Sequence, residues 1–130
     1  MSFGFSIGDF ISVGSLALSL YLSYRDGPSE IREVSRELLS LHTTLEELRH
    51  DLEDPDSTIS RSSSKKTRNL QGLIARCKEP LEELETIYQK YVGMGSWQRL
   101  KIGKEDIDCI RHKLGLHLTG LTLFLTGISQ

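Results

Sequence analysis

His42, Glu46 and His50 recur every four residues, a spacing that places imidazole and carboxylate groups on one face of a helix. A zinc centre needs such ligands to converge on one point. On a helix His42 and His50 would stand about 12 Å apart along the axis, so the pattern reads as a polar stripe and not as a metal site. His112 and His117 are five apart and face different ways. Gly103-Lys104 resembles the end of a phosphate-binding loop, but Glu105 stands where Ser or Thr is needed and Gln98 where the first glycine should be. Cys77 lies on an apolar seam and Cys109 beside one; both read as small buried residues and not as nucleophiles. No serine sits in a nucleophile elbow. The expectation is a protein that is not an enzyme, with no cofactor and no bound metal.

The remaining chemistry is electrostatic. The 130 residues carry a formal net charge of −2, which gives no global basic field for nucleic acid. The charge is segregated: residues 26–54 hold nine acids and three bases, and residues 55–78 hold one acid and six bases. Within the basic stretch Arg61, Lys65, Lys66 and Arg68 cluster without an interleaved aromatic residue. The plain reading is a solvated surface; the functional one is attraction to anionic lipid or to an acidic partner. Nucleic acid is disfavoured because nothing is available to stack on bases.

These residues must be positioned by helices. Leucine is abundant, valine occurs only at 13, 34 and 92, and there are three prolines. Two cysteines are too few for a disulfide scaffold and suit a reducing compartment. Four segments follow. From Ile31 to Leu52 apolar residues alternate at three and four (31, 34, 38, 41, 45, 48, 52), with Leu39 widening the stripe, Pro28 ahead and Pro55 as the stop. Residues 54–67 are polar and serine-rich and read as a long loop. Residues 66–92 carry a third apolar face that includes Leu70, Ile74, Cys77, Leu81 and Leu84, with a kink expected at Pro80 and an end at Gly93 and Gly95. Trp97 and Leu100 mark a short helical connector. Residues 104–129 form the fourth segment; Leu116, Leu123 and Phe124 widen its stripe, which predicts burial on several sides.

The first segment is the unusual one. Residues 10–24 contain no charge, and Phe3, Phe5 and Ile7 add apolar bulk ahead of them. Phe10, Ile11, Val13, Leu16, Leu18 and Leu20 surround most of the circumference, while Gly8, Ser12, Ser15, Ser19 and Ser23 follow one stripe of small residues of the kind that lets helices approach closely. Such a helix is either the central element of a bundle or one that leaves the bundle for a bilayer. Fifteen residues span about 22 Å, short of the roughly 30 Å hydrocarbon core. Adding residues 3–9 supplies the length and brings Asp9, an acid that is costly against lipid and tolerable in a water-filled pore. No Lys or Arg precedes the apolar run, which argues against a secretory signal.

The opening MSFGFSIGDFISVG, residues 1–14, resembles the start of the HeLo-like N-terminal domain of fungal STAND proteins. The resemblance continues in residues 38–42, 77–91 and 97–101 and in Glu105-Asp106-Ile107, and so covers nearly the whole chain. That family is similar to the HeLo domains of fungal incompatibility proteins and, more distantly, to the four-helix executioner domains of necroptotic pseudokinases and plant coiled-coil immune receptors. The resemblance implies an all-α four-helix bundle at the N-terminus of a nucleotide-binding oligomerisation switch, acting in programmed cell death by membrane permeabilisation. By that analogy the first segment, from Phe3 to Leu20, is the membrane-inserting piece and Asp9 lines the pore.

Residues 1–130 are thus expected to be a single helical domain of a longer chain carrying nucleotide-binding or repeat domains. It would be cytoplasmic at rest and at the plasma membrane as a homo-oligomer on activation. Anionic lipid would be attracted by Arg25, Lys65, Lys66, Arg68, Arg99 and Lys101. The other reading is a non-lytic helical interaction or oligomerisation adaptor, which the same seams would serve.

Overall fold

The computed structural model describes residues 7–27, 29–53, 64–94 and 104–129. It contains four long helices and one single-turn helix: α1 (Ile7–Arg25), α2 (Ser29–Arg32), α3 (Val34–Glu53), α4 (Ser64–Met94) and α5 (Lys104–Ser129). Among the described residues there is no strand. α1 packs most extensively on α3 and also on α4, and α5 packs on α3 and α4, so α1 and α5 stand diagonally across a four-helix bundle.

The seam in the second segment is the spine of the core. Ile31, Val34, Leu38, Leu41, Leu45 and Leu48 are all buried. They meet Phe10, Val13, Ala17, Leu20 and Tyr24 of α1, Leu70, Ile74, Cys77, Leu81 and Leu84 of α4, and Ile107, Ile110, Leu114 and Leu121 of α5 in one cluster. Each set repeats at three and four residues, so each helix offers one apolar face. Tyr24 is fully buried and donates its hydroxyl to the Leu84 carbonyl at 2.7 Å, which satisfies the one polar atom that its burial would strand. Tyr24, Tyr88 and Tyr91 form a tilted ladder with centroids 5.7 and 5.9 Å apart.

The second segment is not one helix. A turn at Glu33 separates α2 from α3. Ser35 donates its hydroxyl to the Arg32 carbonyl at 2.7 Å and the Arg36 amide reaches the Glu33 carbonyl at 3.3 Å, so local bonds close the turn in place of a continuous ladder. The corner before it is tight: the Gly27 amide bonds the Tyr24 carbonyl, and a Cβ at Gly27 would come within 2.6 Å of Ile31 Cδ1. The helical hairpin formed by α1 and α3 follows from this corner, and Gly14 lies beside His42 and Glu46.

α4 begins at Ser64, so the polar stretch gives up its last four residues to the helix; residues 54–63 lie outside the described ones. Pro80 is buried inside α4, which runs on through it to Met94. The connector at Trp97 and Leu100 lies outside the described residues. α5 matches the fourth segment at both ends.

Arg111 ties α5 to the α2–α3 turn. It reaches Glu33 at 2.8 Å, Glu37 at 2.9 Å and Asp108 at 3.5 Å. Lys113 bonds Glu83 of α4 at 3.2 Å, and that contact holds its ammonium pKa above the ordinary lysine value. Among the described residues, the base that the acidic second segment meets from another helix is Arg111 of α5.

Candidate functional site

The candidate site is α1 and the residues that hold it. Its inner face carries Phe10, Val13, Ala17, Leu20 and Tyr24, with Leu16 and Tyr21 packed at the margin. Its outer face is solvent-facing and uncharged. Ile11 is 50% exposed, Leu18 37% and Leu22 43%, and Gly8, Ser12, Ser15 and Ser19 are exposed beside them. Three neighbours do not enclose α1, so the expectation of a fully surrounded central helix is corrected. Two neighbours can cover only about half of a helix circumference, and the remaining apolar side chains face water.

The small-residue stripe also has the opposite role to the one expected. Four of its five members are exposed, and α1 meets α3 instead at positions that include the buried Gly14. There His42 donates its Nδ1–H to the Gly14 carbonyl at 3.0 Å. His42 is therefore part of the α1–α3 contact and not of an exposed stripe. Glu46 pairs with Arg49 at 2.8 Å, which lowers its carboxyl pKa, and His50 is exposed. No group of three His, Cys, Asp or Glu side chains suited to a metal occurs among the described residues.

Of the residues expected to insert into a membrane, Phe10, Val13 and Leu20 are core, Leu16 is half-buried, and Ile11 and Leu18 are exposed. Phe3 and Phe5 lie outside the described residues; Ile7 and Asp9 are placed in α1 by their backbone alone. Among the described residues no helix is long and apolar enough to cross a membrane.

The expected lipid-attracting bases do not converge. Arg25 ends α1, where its guanidinium lies 5.6 Å from the Tyr21 ring centroid and 3.2 Å from Asp26. Arg68 is exposed near the start of α4, and Lys65 and Lys66 belong to that same first turn by backbone. Tyr24 meets Leu84, far along α4, so Arg25 and the start of α4 lie towards opposite ends of the bundle. Arg99 and Lys101 lie outside the described residues. The structure instead gathers Arg25 with Arg32, Arg36 and Arg111. The i,i+4 pair Arg32 and Arg36 was visible in the sequence but masked by the strongly acidic segment around it.

Three other apolar expectations are corrected. Leu39, Leu116 and Leu123 are exposed, so the second half of α5 is not buried on several sides, although Phe124 packs on the core. Cys109 is exposed, whereas Cys77 is buried and its thiol is pushed up to about 12 by desolvation. His117 is held below its usual pKa by burial, aided by Arg76 and Lys113 and opposed by Glu79.

No protein-family profile, curated protein or solved structure matches the chain.

Proposed function

We propose that this domain is a non-enzymatic signalling and cell-death effector that acts on membranes. It is the N-terminal part of an NLR-like protein with nucleotide-binding or repeat domains downstream. It rests in the cytoplasm and, on activation, forms a homo-oligomer at the plasma membrane whose α1 helices enter anionic lipid. The observation that carries this reading is α1 itself: residues 10–24 carry no charge on any face, and on the outer face Ile11, Leu18 and Leu22 are already exposed at the edge of the bundle. The hydroxyl stripe fits the same reading. In a cluster of released α1 helices the former core face, from Phe10 to Tyr24, turns to lipid together with the flanking Ile11, Leu18 and Leu22, and Ser12, Ser15 and Ser19 line water together with Asp9. At 1.5 Å per residue, the 19 residues of α1 span about 28 Å, short of the roughly 30 Å hydrocarbon thickness, in keeping with a helix that does not cross a bilayer by itself.

Oligomerisation has a definite thermodynamic part. Clustering raises the effective concentration of neighbouring helices and offsets the cost of taking α1 from the core. The bases at 65, 66 and 68 sit at the end where α4 begins, and each contributes about 1 kcal/mol near an anionic surface.

The adaptor reading draws on the same exposed stripe. Gly14 lies against His42 and Glu46, so the α1–α3 register brings the exposed Leu39 level with Leu18, and a partner helix could lie there. Dye release from anionic liposomes, with the domain fused to an inducible oligomeriser, separates the two. Leu18→Glu is the informative variant, because the side chain is exposed at rest and the bundle keeps its core. Release that needs oligomerisation, is lost in Leu18→Glu and persists in Leu116→Glu supports the membrane reading. A folded oligomer that releases nothing supports the adaptor.

A further inference from the structure

The corner where α1 turns into α2 and α3 holds a basic cleft of about 500 Å³, lined among the described residues by Arg25, Arg32, Arg36 and Arg111 with Ser29, Ser35 and one carboxylate, Glu33. The four guanidinium groups are not equivalent. Arg111 is spent on Glu33, Glu37 and Asp108, so Glu33 enters the cleft as an acid already paired to one of its arginines. Arg25 is matched only by Asp26, an exposed neighbour. Arg32 gives Nε and Nη2 to the Gly27 carbonyl at 3.4 and 3.2 Å, a neutral partner that fixes the side chain without cancelling its charge. Arg36 makes no ion pair among the described residues. Thus one arginine of the cleft is neutralised, one is loosely paired, one is pinned with its charge intact, and one is uncommitted.

The geometry points to an anion site for a phosphate-bearing ligand at this corner, held by Arg32, Arg36 and Arg25. Guanidinium groups bind phosphoryl oxygens through paired N–H donors, and several around one cleft favour a multiply charged group over chloride or a single carboxylate. Pre-orientation strengthens this: the Gly27 carbonyl holds Arg32 before any ligand arrives, and Gly27 must lack a side chain for Ile31 to close the corner. Ser29, exposed at the rim, supplies a neutral hydroxyl. The ligand bridges residues on both sides of the turn at Glu33, and so links α1 to α3 at the point where α1 would hinge. The site stands independently of the membrane reading, since a free polyphosphate and a phosphorylated lipid headgroup carry the same chemistry.

Pyrophosphate is the direct probe, titrated into the ¹⁵N-labelled chain. Saturable shifts are expected at residues 29, 32 and 36. Affinity should fall by about tenfold or more in Arg36→Gln, hold partly in Arg36→Lys and stay unchanged in Lys78→Gln, a base on α4 away from the corner. Arg36→Gln removes no side-chain bond among the described residues, so the fold survives and the loss is interpretable; Arg32→Gln provides a second reading of the site. Competition with vesicles of phosphatidylcholine, with and without phosphatidylinositol phosphate, identifies the source. Vesicle binding displaced by pyrophosphate assigns a headgroup, and vesicle binding indifferent to saturating pyrophosphate assigns a soluble ligand. The absence of saturable pyrophosphate binding, or an equal loss in Lys78→Gln, overturns the proposal. Dye release plays no part in this test, so its outcome is separable from that of the membrane reading.

Discussion

Removing one oxygen from Tyr24 tests how α1 is held. The hydroxyl lies 2.7 Å from the Leu84 carbonyl in the core, and the ring is fully buried beside Tyr88. Tyr24→Phe keeps the ring, its packing and the helical bonds of α4, and deletes a buried hydrogen bond that ties the end of α1 to α4. Such a bond contributes about 1 kcal/mol net, or roughly a fivefold change in the folded ratio. Tyr24→Ala removes the packing as well and should cost about 3–5 kcal/mol. The hydroxyl carries a pH signature too. Burial, and behind it Tyr88, push the phenol well above its ordinary value of about 10. A raised folded pKa means the unfolded chain loses its proton first, so the contribution is complete below pH about 10 and is lost as pH rises beyond it. Urea denaturation followed by circular dichroism, at pH 8 and again near pH 11, reads both effects. The wild type should lose stability between the two, and Tyr24→Phe should lose less, keeping only the alkaline loss that the buried Cys77 thiol contributes. An unchanged midpoint at pH 8, or an alkaline loss as large as that of the wild type, would refute the reasoning.

The same arithmetic bears on function. Exposing Phe10, Val13, Leu20 and Tyr24 costs about 1.5–3 kcal/mol each, together about 6–12 kcal/mol, which rivals the whole stability of a typical domain. On the proposed reading an isolated copy therefore keeps α1 docked, and release would need lipid and neighbouring copies to compensate.

Leu45→Ala, in the middle of the α3 seam, should cost about 2–5 kcal/mol in urea denaturation; a change well under about 1 kcal/mol would remove that seam from the core. Gly14→Ala should be tolerated or stabilise by up to about 1 kcal/mol. A Cβ there would meet Glu46 and His42 only at 3.9 and 4.0 Å, and alanine is the better helix former; a clear loss would show a tighter α1–α3 contact. Thiol labelling of the native chain should modify Cys109 rapidly and Cys77 only as fast as the bundle opens, and equal rates at the two would contradict the burial of Cys77.

Much of the fold was legible because the core positions of each helix repeat at three and four residues, and that period survives in Val34 to Leu48 and in Ile107 to Leu121 without knowledge of partners. The break at Glu33 was not legible. It depends on Ser35 closing a local turn and on Arg111, which arrives from 78 residues away in sequence. Leu39, Leu116 and Leu123 were misplaced for a related reason: an apolar residue beside a seam reads as a wider face, but the number of neighbouring helices decides whether anything covers it. The small residues of α1 show the same limit. Their periodicity is plain, yet it does not say whether a helix or water faces them. The four-arginine corner was hidden because its members come from four helices, α1, α2, α3 and α5, and two of them lie within a segment whose net charge is acidic.

The claim that α1 leaves the bundle for lipid is tested most directly by its depth in a bilayer. An environment-sensitive fluorophore at Leu18→Cys, in a Cys109→Ser background, would be followed with lipids carrying a quencher deep in the acyl chain. Before oligomerisation the fluorophore should report water and escape quenching. After induced oligomerisation on anionic liposomes it should turn blue and be quenched in step with dye release. A fluorophore that stays in water while the oligomer forms on the liposome surface would contradict the account.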